Sequence, residues 1–255
     1  MPITAITGAA SGIGAALSKQ LRDAGHTVIG IDRAGSDVTA DLSTVDGRQS
    51  AVEQVLAASN GVLDHVVLCA GLGVTAPNSG LIVAVNYFGV SELLDGLSEA
   101  LSKGTNPSAV VVGSVASVQP GANELPMVEA MLSGDFEAAV ASANDAANPS
   151  QAYAGSKYAV TAYVRRKVHD WAKMGVRVNV LAPGVVETPL YKASTEDPTY
   201  GEATKNFVAP LGRGSKPEEA ANVIRFLLSD QASFIHGTVL FADGGMDAMI
   251  RPGKF

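Results

Sequence analysis

The chain has 255 residues, 47% of them hydrophobic, with 27 glycines and a net charge of -7, which gives it enough apolar material for a sizeable core and excludes a disordered binding protein. With 18 Lys plus Arg against 25 Asp plus Glu, it has no basic surface to neutralise a phosphate backbone, so nucleic acid is excluded as a partner. The opening Met1-Pro2-Ile3-Thr4 carries no basic region followed by an apolar stretch, and no 18-residue apolar run occurs, so the expectation is a cytoplasmic protein without membrane insertion.

The first apolar run, residues 3–7, reads as a buried strand. It leads into Thr7-Gly8-Ala9-Ala10-Ser11-Gly12-Ile13-Gly14 and then an amphipathic helix at 13–24. Glycines at that junction let the backbone turn tightly and approach a pyrophosphate at the positive end of the helix. A second strand, 27–31, ends at Asp32, 18 positions after Gly14, where a carboxylate takes the two hydroxyls of an adenosine ribose and repels a 2′-phosphate. NAD is therefore favoured over NADP, although the adjacent guanidinium of Arg33 is able to accept that phosphate.

Helical spacing follows at 48–58, a strand at 66–69, a helix at 91–102 and a strand at 109–113. Cys69, the single cysteine, lies in an apolar run where a small buried side chain is the ordinary reading. The stretch 119–151 breaks the rhythm: its middle, 124–147, has helical spacing with no strand on either side, and reads as an inserted helical arm. A helix at 153–174 then carries Tyr153 and Lys157 four residues apart on one face. Such a pair is common on exposed helices, but a neighbouring ammonium also favours phenolate and draws a phenol from its ordinary pKa of about 10 toward useful values. After a strand at 176–181, residues 185–213 contain Pro189, Pro198 and Pro210 and read as a long loop at the carboxyl end of a strand, suited to a substrate lid. There Leu190, Tyr191, Tyr200, Phe207 and Val208 are candidate contacts for a flat apolar substrate, or core residues. A helix at 218–228 and a strand at 239–242 close the chain. Alternating strands and helices without a linker give one α/β domain, 1–255, with a doubly wound parallel sheet of the Rossmann type. His26, His65, His169 and His236 lack metal-ligand spacing, so no metal is expected.

Taken together, these motifs resemble the short-chain dehydrogenase/reductase family across nearly the whole chain. Its Thr-Gly-x-x-x-Gly-x-Gly is matched by Thr7, Gly8, Gly12 and Gly14, with Ser11 and Ile13 inside the motif. Its acidic positions are matched by Asp32 and by Asp41-Leu42, which the resemblance places beside an adenine. Cys69-Ala70-Gly71 stands where the family has Asn-Asn-Ala-Gly. The departure, Leu68-Cys69, keeps the Ala70 and Gly71 backbone contacts and removes side-chain hydrogen bonds that steady the central sheet. Asn86, Ser114, Tyr153 and Lys157 match the family's catalytic tetrad, and Pro183, Gly184 and Thr188 match the segment around a nicotinamide.

The resemblance implies that Tyr153 exchanges a proton with the substrate oxygen and that Ser114 hydrogen-bonds that oxygen. It further implies that Lys157 binds ribose hydroxyls and depresses the tyrosine pKa, and that Asn86 holds a water in a relay to Lys157. The 38 residues between Ser114 and Tyr153 and the short stretch from Gly71 to Asn86 resemble the bacterial hydroxysteroid dehydrogenases of the family, which implies NAD-dependent reversible oxidation of a steroid 3α-hydroxyl, with carbonyl reduction. It also implies a homodimer, because the arm lies near helices through which relatives form tetramers; a surface ornament is the other reading. Alternatives are a dehydrogenase for another secondary alcohol, a ketoacyl reductase, or a non-catalytic dinucleotide sensor, against which the intact Asn86, Ser114, Tyr153 and Lys157 argue.

Overall fold

The structure, a computed structural model, describes residues 1–254. Its seven strands are β1 Ile3–Thr7, β2 Thr27–Asp32, β3 Val38–Thr39, β4 His65–Leu68, β5 Ser108–Val112, β6 Arg177–Pro183 and β7 Val239–Ala242. They form one sheet in the order β3-β2-β1-β4-β5-β6-β7, and every pairing is parallel. Chain order reverses at β1, where β2 lies on one side and β4 on the other. An open α/β sheet binds its ligand in the crevice outside the carboxyl ends of the strands at such a point.

Burial of both faces explains the near-continuous apolar strands. Along β5, Ala109 and Val111 enter one core with Val66, Leu68, Val178 and Val180, whereas Val110 and Val112 enter the other with Ile6, Val67 and Leu181. Helices α1 Gly12–Asp23, α2 Val45–Ala58, α3 Ser79–Val83, α4 Gly89–Gly96 and α5 Ser98–Ser102 fill the first half of the chain. Helices α6 Pro126–Ser133, α7 Phe136–Ala146, α8 Pro149–Arg166 and α9 Val168–Lys173 follow, and then α10 Pro189–Glu196, α11 Gly201–Asn206, α12 Pro217–Leu228 and α13 Met246–Ile250. Leu17 and Leu21 of α1 pack with Ile224, Leu227 and Leu228 of α12 on one face, while α2, α4 and α8 cover the other. Among the described residues no helix is long and apolar enough to cross a membrane.

Strand limits agree with the sequence reading to within one or two residues. The differences are local and have visible causes. Residues 185–213, expected as a loop, contain α10 and α11. Thr188 caps α10 by accepting the Tyr191 amide at 3.2 Å with Pro189 in the first turn, and the Asp197 carboxylate gathers the amides of Thr199 and Tyr200 ahead of α11 at 2.8 and 2.9 Å. The helix expected from residue 91 begins at Ser79, capped by Asn78, and runs through a π-helical turn, Ala84–Phe88, into α4. Asn148 caps α8 at Gln151, 3.1 Å away, so the tyrosine helix starts four residues earlier than its apolar spacing suggests. It then breaks at Lys167, and α9 is a separate piece.

Within 119–151 a 3-10 turn, α6 and α7 form the helical arm. It is not draped over the surface: Met127, Val128, Met131, Ala139 and Ala143 are buried in the main core. Asn144 of α7 accepts the Gly80 amide of α3 at 2.8 Å. Gly80 lacks a Cβ where one would stand 2.8 Å from Asn144 Nδ2 and Val140 Cγ1, so the two helices approach as only a glycine allows.

Candidate active site

At the switch point a cleft of about 970 Å³ runs along the carboxyl ends of β1, β2, β4, β5 and β6. One end is made by the first β-to-α junction. Gly8 and Gly12 have φ of +68° and +54°, and a Cβ on Gly14 would lie 2.2 Å from the Gly8 carbonyl oxygen, so the tight turn demands glycine at these positions. Ser11 precedes α1 without capping it. The first amides of the helix are therefore left to a ligand, and their positive end suits an anion.

Asp32, at the end of β2, accepts the Ala10 amide at 3.1 Å and its neighbour Arg33's amide at 2.7 Å, which fixes the carboxylate beside the glycine turn. Asp41 and Leu42 continue the same wall. The Asp41 carboxylate accepts both the amide and the hydroxyl of Ser43, at 2.9 and 2.7 Å, and these bonds hold its pKa below the usual value. Across the cleft the Ala70 amide donates to Thr7 Oγ1 at 3.1 Å. One side-chain tie between β1 and the Ala70-Gly71 turn thus survives although Leu68-Cys69 replaces two asparagines. Burial pushes the Cys69 thiol up to about 12, and a thiol held neutral is no nucleophile.

The other end brings Ser114, Tyr153 and Lys157 together. Ser114 follows β5 and opens a 3-10 turn, its hydroxyl accepting the Ala116 amide at 3.1 Å. Tyr153 and Lys157 project from one face of α8, with Lys157 Nζ 5.9 Å from the centre of the tyrosine ring. Lys157 Nζ also donates to the Val112 carbonyl at 2.9 Å, a bond that ties the helix to the end of β5. Burial lowers Lys157 to about 8. It holds Tyr153 above its ordinary value, and the Ser114 hydroxyl draws the phenol back only in part. Burial thus moves both groups toward their neutral forms, while Lys157 stays mostly protonated at neutral pH.

Asn86 sits in the π-helical turn, fully buried, with Oδ1 accepting the Leu72 amide at 2.7 Å and Nδ2 donating to the Leu72 carbonyl at 3.0 Å and to Ser156 Oγ at 3.2 Å. These bonds commit its side-chain amide to the Gly71-Leu72 backbone and to α8, and Asn86 stands behind the residues that line the cleft. The remaining nominated residues, Gly8, Ser11, Gly12, Ile13, Gly14, Asp32, Arg33, Asp41, Leu42, Ala70, Gly71, Pro183, Gly184 and Thr188, all line the cleft with Ser114, Tyr153 and Lys157.

Above the reacting groups the lid offers Leu190, Tyr191, Tyr200 and Phe207 as cleft walls. Val208 is 52% exposed and lies outside that wall. Three contributors have no sequence signal. The Val112 carbonyl is a backbone group, and Gln119 and Ser150, at the two ends of the arm, reach the cleft only because the arm folds back between Ser114 and Tyr153. Among the described residues no group of three His, Cys, Asp or Glu side chains is placed to hold a metal ion. His26 and His65 lie at the opposite end of the sheet, and His236 is held between the Val178 amide and the Val168 carbonyl.

The residues fit a dinucleotide: a glycine turn open to an anion, an acidic residue at the end of β2 and a continuous cleft leading to a phenol, a hydroxyl and an ammonium. Two family models match, one described as short chain dehydrogenase over residues 2–126 and one as Enoyl-(Acyl carrier protein) reductase over residues 136–247. The chain is 46% identical, over the whole of both chains, to a 3-alpha-hydroxysteroid dehydrogenase/carbonyl reductase of Comamonas testosteroni. It is 31% identical over 97% of both chains to a cis-4-hydroxycyclohexanecarboxylate dehydrogenase of Sinomonas cyclohexanicum. A crystal structure of the 3-alpha-hydroxysteroid dehydrogenase from Pseudomonas sp. B-0831 complexed with NADH superposes with a TM-score of 0.98 at 65% identity, covering 99% of this chain and 100% of that one. From the glycine turn through the Tyr-x-x-x-Lys helix to the full-length relatives, the chain belongs to the short-chain dehydrogenase/reductase family.

Proposed function

We propose that this protein is an NAD(H)-dependent dehydrogenase that reversibly oxidises the 3α-hydroxyl of a steroid to the ketone, and that the reverse reaction gives it carbonyl reductase activity. The observation that carries the reading is one continuous cleft joining Asp32 and the glycine turn to Ser114, Tyr153 and Lys157 beneath an apolar lid. Support comes from the NADH-bound relative at 65% identity and the full-length relative named for the same activity. Bound NAD supplies the hydride acceptor at the nicotinamide ring.

In oxidation the alcohol proton passes to the Tyr153 oxygen while the carbon-bound hydrogen leaves as hydride. In reduction Tyr153 returns that proton to the carbonyl oxygen. Ser114 donates a hydrogen bond to the same oxygen as charge develops on it. Lys157, anchored on the Val112 carbonyl, keeps its remaining donors for ribose hydroxyls. Asp32 takes the adenosine ribose, and Pro183, Gly184 and Thr188 border the nicotinamide. Asn86 holds the Leu72 loop and α8 in place. A homodimer fits the same reading, since the arm covers α3 and α8 and obstructs that face for a second copy.

The test is the initial rate of NADH formation at alkaline pH with a 3α-hydroxysteroid, its 3β epimer and a small secondary alcohol, repeated with NADP. Strong 3α selectivity with NAD is expected. Equal turnover of the small alcohol overturns the steroid assignment, and equal use of NADP overturns the role of Asp32.

A further inference from the structure

Arg48 is the one arginine whose side chain is wholly buried, 1% exposed, and nothing in the chemistry above uses it. It lies on α2, behind the Asp41-Leu42 wall. Its Nε and Nη2 donate to the two carboxylate oxygens of Glu92 at 2.7 and 3.0 Å, and Nη1 donates to the Leu42 carbonyl at 3.3 Å. The face of the guanidinium is covered by two rings: its carbon is 4.8 Å from the centre of Phe136 and 5.9 Å from that of Phe88. Phe136 opens α7, so the insertion reaches through Arg48 to a residue that lines the cleft.

An ion pair with Arg48 buried and the Glu92 side chain 40% exposed is a poor source of stability compared with apolar packing of the same volume. What a guanidinium offers here is geometry: one planar fork satisfies a carboxylate edge-on, holds a backbone carbonyl with a third nitrogen and presents its face to aromatic rings. A lysine ammonium or a methionine satisfies only part of that set. The Leu42 side chain is packed from the other side by α4, where a Cβ on Gly89 would lie 3.2 Å from Leu42 Cβ. Leu42 is thus set by a carbonyl tie on one side and by close packing on the other.

We propose that Arg48, clamped by Phe136 of the insertion, is a positioning residue for the adenosine half of the cofactor: the helical arm fixes the Leu42 wall and thereby sets dinucleotide affinity. The inference rests on the reading that the Asp32 to Leu42 end of the cleft holds adenosine.

Phe136→Leu keeps an apolar side chain against Phe88 and removes the ring face from the guanidinium, while Phe136→Tyr restores a ring. Affinities are measured on the full-length protein by isothermal titration with ADP-ribose and by fluorescence titration with NADH, and kcat at saturating NAD is read in parallel. Phe136→Leu is expected to weaken ADP-ribose and NADH by about three- to tenfold, in line with a lost cation–π contact, with kcat and the ketone KM within twofold of the parent; Phe136→Tyr is expected to restore the affinity. Arg48→Met serves as a second probe and should weaken both ligands at least as much. If the parent binds ADP-ribose and the variants bind it equally well, the positioning role is overturned. A uniform loss of kcat and affinity with no rescue by tyrosine overturns it as well, in favour of a purely structural pair. Failure of the parent itself to bind ADP-ribose strikes at the cofactor reading instead.

Discussion

Tyr153, Ser114 and Lys157 are supplied by two segments and meet because Lys157 reaches across to the end of β5. Tyr153→Phe removes the only hydroxyl assigned to proton exchange, and we expect it to retain NADH binding and lose about 10²- to 10⁴-fold in kcat; near-normal turnover would falsify the assignment. Because burial holds the Tyr153 phenol above its ordinary value, about 10 for a free phenol, oxidation, which needs the phenolate, should still be rising as pH passes 10, and reduction, which needs the phenol, should hold to that pH and fall only above it. Initial rates in both directions against pH check this, and parallel profiles would remove the tyrosine from that role. At the other end of the sheet, burial pushes His65 down to about 4, against 6.5 for a free histidine. The unfolded chain therefore binds the proton first, so the stability His65 contributes is whole above about 6.5 and is lost as pH falls toward 4. Urea midpoints between pH 7 and 4.5 should fall less steeply for His65→Gln than for the parent, and identical slopes would clear His65. At this scale the motif residues were legible because their chemistry demands particular side chains. The depressed Lys157 and elevated Tyr153 were not, because desolvation depends on what packs around them, and Asn86's bonds to Leu72 depend on a turn that no spacing announces.

Among the elements, the strands were the most legible: runs such as Val66-Val67-Leu68 and Ala109-Val110-Val111-Val112 can only be buried on both faces. The two-residue β3 carries too little sequence to see. The π-helical turn at Ala84–Phe88 escaped because an inserted residue does not change the apolar count, although its effect is to turn Asn86 inward; such turns often accompany functional residues. The arm was visible as helical spacing without strands, but its docking was not, since Asn144 and Gly80 are ordinary residues until they meet. Gly80→Ala puts a methyl 2.8 Å from Asn144 and Val140, and we expect it to cost about 1–3 kcal/mol, read as a lower urea midpoint at unchanged m-value. An unchanged midpoint would mean that α7 slides on α3 without resistance.

For the whole molecule, a chain that covers α3 and α8 with its own helices should sediment as a dimer at micromolar concentration. A stable tetramer in sedimentation velocity would show that the arm leaves that assembly face open. The single parallel sheet was legible from alternation alone, whereas the strand order with its reversal at β1 was not, because the direction each crossover takes follows from chain handedness rather than from any one residue. That sheet order also has a consequence for how the protein is made. Strands β2 and β3 lie to one side of β1, while its other neighbour, β4, is synthesised after both, so every strand on the Asp32 side of the sheet is made before Ser114, Tyr153 or any of the lid. A domain folds as a unit, and α1 is covered by Ile224, Leu227 and Leu228 of α12, near the end of the chain. The residues for the adenosine half are therefore made first but gain a covered sheet last, and a chain stalled near Val112, lacking α8 and α12, should leave both faces of that sheet open and hold no nucleotide.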